Sequence, residues 1–111
     1  MKILLDHNTP QGLRNLLAGH EVETAQYRGW DTLRNGDLLQ NALDHGFELV
    51  ITCDQGIRFE QNLPAVPIPV LTIATNHWPT IRASIPLIED AIPSARAGQS
   101  NSLRLRQHPL P

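Results

Sequence analysis

Cysteine and lysine each occur once in the 111 residues, as Cys53 and Lys2. A lone thiol closes no internal disulfide, so the chain reads as a protein of a reducing compartment. Cys53 stands at the end of an apolar run, where it is expected to pack. No activating partner is evident in the sequence, which argues against a thiolate nucleophile. With no lysine late in the chain, a receiver-like phosphotransfer domain is disfavoured, although such domains also gather acids at strand ends. Aromatic residues make up 5% of the chain, so aliphatic side chains must fill the core. Trp30 and Trp78 are read as core anchors, although an exposed indole also stacks on bases. No stretch approaches the ~18 apolar residues that suggest a membrane span. Lys2 is followed by a short apolar run that ends at Asp6, too brief for the core of a secretory leader. The expectation is a soluble, cytoplasmic protein. Glycine-rich phosphate loops and the GxSxG elbow are missing. His7 and His77 have no partner at a zinc-ligand spacing such as HxxxH.

The net charge of −2 gives no bulk pull toward nucleic acid or membrane. Its distribution is uneven. Nine of the eleven acids precede Pro64, and beyond Asp90 the charged side chains are Arg96, Arg104 and Arg106. Eight of the nine bases are arginine, the side chain suited to bidentate phosphate contacts. A solvated tail accounts for the basic end equally well.

The length suits one domain with a modest core. Residues 2–5 are an apolar run too short for a helix, as in a strand buried on both faces. Thr9 and Pro10 offer a cap and a first helical residue, Leu13, Leu16 and Leu17 follow at helical spacing, and Gly19 ends the helix. Residues 21–24 read as a more exposed strand and 27–35 as a loop. Asn35 caps a helix over 36–44 with Leu38, Leu39, Ala42 and Leu43 inward. Residues 47–53 and 67–73 read as further strands. Pro79 opens a last helix with Ile81, Ile85, Ile88 and Ile92 on one side, and Pro86 should kink or split it. Residues 97–102 form a polar linker before a possible edge strand over 103–107. Strands alternating with helices predict an α/β fold with a mainly parallel sheet of four to five strands and helices on both faces. Ligands of such sheets bind beyond the carboxyl ends of the strands.

Asp6 and Asp54 end the first and third of these strands. Two carboxylates on adjacent strand ends repel unless one is protonated or both hold a cation. Asp37 lies in the first turn of the second helix, where the dipole favours an acid in any case. Three clustered carboxylates make a hard oxygen site that suits Mg²⁺ or Mn²⁺. Such an ion serves phosphodiester hydrolysis by activating a bound water. Local backbone capping is the alternative account of strand-end acids. Asn8 is read as orienting a water or making an Asx turn. Gln55, Gln61 and Asn62 are read as lining a phosphate groove or bonding within their loop.

The blocks "ILLDHNTP", "GWDTLRNGDLL" and "VITCDQGIRFEQNL", in this order and spacing, resemble a small bacterial family of PIN-like domains, shortened relatives of the PIN nucleases that include many toxins of toxin–antitoxin pairs. The resemblance spans residues 1–92. It implies a three-layer α/β/α PIN-like fold, with the domain taken over residues 1–96 and 97–111 left as a C-terminal tail that holds the possible edge strand. It implies a metal-dependent ribonuclease with Asp6, Asp37 and Asp54 as catalytic metal ligands. Asn8, Gln55 and Asn62 would then contact substrate, and the partners would be RNA, an antitoxin protein and, as in PIN relatives, a second copy. The apolar face of the segment 79–92 is the expected dimer surface. The chain departs from the family where Gly56 stands at the place of a fourth acid, where His7 follows the first acid, and where Thr9 replaces a common leucine. A thinner metal shell leaves open an alternative of another class, a catalytically weak or inactive PIN-like module that binds RNA or a protein.

Overall fold

The computed structural model describes residues 1–53, 66–99 and 101–105. Its strands are β1 (Lys2–Leu5), β2 (Glu21–Thr24), β3 (Leu49–Thr52), β4 (Val70–Ile73) and β5 (Asn101–Leu103). They form one sheet in the order β2-β1-β3-β4-β5, and every neighbouring pair is parallel. Leu5 pairs in register with Thr24 on one side and Ile51 on the other. The described helices are α1 (Ala25–Arg28), α2 (Asn35–Asp44), α3 (Trp78–Ala83) and α4 (Ile85–Ala91), with 3₁₀ turns at Gln11–Asn15 and Ile92–Ser94. The expected α/β class with a parallel sheet is therefore what the chain adopts.

The central strands are mostly apolar because both sheet faces are covered. Successive side chains on a strand point to opposite faces. Ile3, Leu5, Leu49, Ile51, Leu71 and Ile73 pack with Leu13 and Leu17 and with Ile81, Ile88 and Ile92. Leu4, Val50 and Val70 pack with Ala25, Phe47 and the α2 residues Leu38, Leu39 and Ala42. Thus α2 covers one face, while α3 and α4 cover the other. β2 lies at an edge and buries Val22 and Thr24. Beside it Arg28 clamps Glu23 through two bonds of 2.8 and 2.9 Å, and this hydrogen bonding holds the Glu23 carboxyl below the ordinary range.

Several local features differ from expectation. The segment after Pro10 is a 3₁₀ turn rather than an α-helix, and its cap position is Pro10, with no side-chain cap bond. The Thr9 hydroxyl is committed elsewhere, and short uncapped turns favour 3₁₀ geometry. The stretch expected as loop begins inside α1. Thr24 Oγ1 accepts the Tyr27 N–H at 3.1 Å, and Gly29 ends the helix in the left-handed region at φ 75°. α2 begins at Asn35, with Arg34 at the cap position. Pro86 does split the last helical segment, and Ser84 marks the break. Ile81, Ile88 and Ile92 are buried in the core, so the face expected to serve a dimer is already covered by the sheet. β5 lies two residues before the alternating stretch, and Asn101 Nδ2 fastens it to the carbonyls of Val70, Arg96 and Gln99. Arg96 donates to the carbonyls of Pro93 and Ala95 in the same hook. Trp78 packs on the first cluster. Trp30 lies edge-on to Phe47 and His45. Among the described residues no helix is long and apolar enough to cross a membrane.

Candidate functional site

In the order β2-β1-β3-β4-β5 the chain leaves β1 toward one edge and β3 toward the other. The boundary between β1 and β3 is therefore the sheet's switch point, beyond whose carboxyl end the ligands of parallel sheets bind in a crevice. Asp6 stands at that point. Its N–H donates to Ile51 O at 3.1 Å, which continues the ladder one residue beyond β1. Its side chain is then turned into the protein, and the residue is 1% exposed.

A buried carboxylate needs donors. Asn8 N–H donates to Asp6 Oδ1 at 3.1 Å and Thr9 Oγ1 to the same oxygen at 2.8 Å. Thr9 N–H also reaches Asp6 O at 3.1 Å, so residues 6–9 form a tight Asx-type turn. Thr9 Oγ1 also lies 3.2 Å from Ile51 O, but a hydroxyl has one proton and the shorter contact takes it. From the neighbouring strand Thr52 Oγ1 donates to Oδ2 at 2.6 Å, a short bond typical of an ionised acceptor. Thr52 is fully buried. Burial raises the Asp6 carboxyl above its usual range, against the lowering influence of Thr52, Thr9, His7 and the Asn8 amide. Burial also pushes the Cys53 thiol up to about 11, with the nearby Asp6 charge adding to it. Cys53 is consequently a protonated packing residue at neutral pH.

The expected site residues fall into three groups. Asp6 and Asn8 come together, with the Asn8 backbone serving the carboxylate. Asp37 is exposed in the first turn of α2, and no bond joins it to Asp6. Asp54, Gln55 and Asn62 lie outside the described residues, as do Gly56 and Gln61, although chain continuity puts Asp54 directly after Cys53. Among the described residues no three His, Cys, Asp or Glu side chains gather as a metal site. Sequence reasoning missed Thr9 and Thr52. The Asp-x-x-Thr spacing was a usable signal for Thr9, since it places a hydroxyl over its own turn. Thr52 had a weaker one, a polar residue inside an otherwise apolar strand.

Asp6 fits a hard divalent cation as one donor. Among the described residues its Oδ1 accepts two bonds and its Oδ2 one, and these leave one acceptor direction on Oδ2. A cation there would also offset the cost of keeping the buried group ionised. The described residues alone do not complete a shell. No protein-family model, curated protein or solved structure matches the chain.

Proposed function

We propose that the chain is a divalent-metal-dependent ribonuclease that hydrolyses phosphodiester bonds in the crevice between β1 and β3. The observation that carries this reading is Asp6, an acid buried to 1% exposure at the sheet's switch point, held in one orientation and with an acceptor direction to spare. Burying an acid costs stability, and acids with perturbed ionisation cluster at functional sites. The resemblance to PIN-like domains supports the same chemistry and extends it to a toxin held in check by an antitoxin.

Asp6, Asp54 and Asp37 would hold Mg²⁺ or Mn²⁺. Bound there, the ion polarises a phosphate oxygen and acidifies a water. Thr9 and Thr52 fix the Asp6 carboxylate so that it does not reorganise during the reaction. Asn8, Gln55 and Asn62 contact the phosphates of the strand, and Arg104 and Arg106 extend that contact. Cys53 keeps the floor of the crevice apolar.

The test is Mn²⁺-dependent cleavage of a panel of RNAs by the wild type, Asp6→Asn and Asp54→Asn. Loss of at least a hundredfold in both variants is expected, and equal cleavage by all three proteins would overturn the reading. One observation favours the alternative of an inert binding module. The three donors already on Asp6 satisfy it without an ion. Calorimetric titration with Mn²⁺ separates the two, because an inert module gives no heat that depends on Asp54.

A further inference from the structure

Beside the Asp6 turn, at the carboxyl end of β2, lies an open cleft of about 490 Å³ lined by Gln11, Arg14, Asn15, Thr24, Gln26 and Tyr27. We infer that this cleft binds one nucleotide unit of a single-stranded RNA, with its base stacked on Tyr27 and its phosphate on Arg14. The inference rests on the ribonuclease reading for its choice of RNA as the strand.

The volume falls in the range of small-molecule sites, ~300–1,000 Å³. The lining carries one cation, three amide side chains and no carboxylate among the described residues. Such a wall accepts an anion and reads hydrogen-bonding edges. Tyr27 is 77% exposed, whereas Trp30, Phe47 and Trp78 pack against the core clusters. A phenol left in water on the wall of a polar cleft gains nothing from folding, but offers a face to a base. Arg14 is exposed, its Nε donates to Val22 O at 3.2 Å, and no ion pair among the described residues engages it. The backbone tether positions the guanidinium and leaves its terminal nitrogens for a phosphate.

Gln26 ties the cleft to the acid. Its Nε2 donates to the carbonyl of His7 at 3.3 Å, the residue after Asp6. Its Oε1 is buried and has no hydrogen-bond partner among the described residues. A rotation of this half-buried amide would present that oxygen to a base amino group. A strand crossing the carboxyl edge would thus set one nucleotide in the cleft while the adjoining phosphate reaches the crevice at Asp6.

The experiment is an amide-proton NMR titration of the full chain in EDTA. The probes are the four nucleoside 5′-monophosphates, inorganic phosphate, and a 2′-O-methyl tetranucleotide that cannot be cleaved. The nucleotides should shift resonances at Arg14, Gln26 and Tyr27, and the tetranucleotide should bind more tightly than any monomer. Tyr27→Ala and Arg14→Ala should each weaken binding about tenfold without lowering the melting temperature. Three results would overturn the inference: shifts confined to other residues, phosphate binding as tightly as the nucleotides and unmoved by Tyr27→Ala, or a tetranucleotide no tighter than a monomer. Neither metal nor cleavage enters the titration. A failed cleavage assay therefore leaves a positive titration intact, and a failed titration leaves the cleavage result intact.

Discussion

The crevice at β1 and β3 and the cleft at β2 share an edge of the sheet and are joined by the bond from Gln26 to His7, yet they are built on opposite terms. In the crevice the polar group is dry, fully oriented and held by three donors. In the cleft the Tyr27 phenol and the Arg14 guanidinium stand in water, and the Gln26 Oε1 has no partner among the described residues. Orientation of a reacting group requires desolvation and a rigid set of partners. Capture of a flexible strand requires accessible faces and bonding capacity not yet used. The difference implies that substitutions in the crevice change stability, while those at Arg14 and Tyr27 in the cleft change binding alone.

The strongest challenge to this contrast is Thr52→Val, which keeps the shape and removes the 2.6 Å bond. Leaving a buried charged acceptor short of a donor is expected to cost about 2–3 kcal/mol, measured by urea unfolding at pH 7. A loss within error would mean that Asp6 is not dry. Next comes Gly12→Ala at the seam between cleft and core. A Cβ there would lie 2.7 Å from Trp78 Cζ2, and displacing the indole is expected to cost about 1–2 kcal/mol.

Asp6→Asn should act in the opposite direction. The native carboxyl is raised above the ordinary 3.8 by burial, so below 3.8 the native and unfolded groups are both protonated. As pH climbs through 3.8 toward the native value, the unfolded state releases its proton first, and the native state loses stability relative to it. The variant lacks that loss. Its unfolding free energy minus that of the wild type should rise across this window and then level off. A flat difference would show that the carboxyl is not destabilised by burial. The smallest effect is expected for Tyr27→Ala, with stability unchanged within about 0.5 kcal/mol by the same unfolding assay. A larger loss would make Tyr27 a packing residue and erase the contrast.

Much of the scaffold was legible because its signals are local. Apolar runs marked β1, β3 and β4, residues 21–24 were read as the more exposed strand β2, and Pro86 announced the break between α3 and α4. The isoleucines at 81, 88 and 92 declared a buried stripe, but their spacing could not say whether sheet or second copy would cover it. Asp6 was legible as the acid that ends a buried strand. The role of Thr9 was misread because a Thr-Pro pair suits a helix start, and the competing bond to Asp6 depends on how the turn closes. Thr52 finds Asp6 across a gap of 46 residues, a pairing that exists only once strand order is known. α1 was missed between the strand at 21–24 and the loop at 27–35, although Thr24 and Gly29 bracket it as cap and stop.

β1 occupies an inner position in the sheet although it comes first of the five strands in chain order. Its ladder to β3, the Ile51 carbonyl that accepts from Asp6 and the Thr52 hydroxyl all arrive more than 40 residues later in synthesis. Closing so long a loop is slow relative to forming local turns. On the ribosome the first half of the chain must therefore wait with Asp6 hydrated. The acid becomes dry at the moment β3 docks, which makes its proton affinity a clock for that docking.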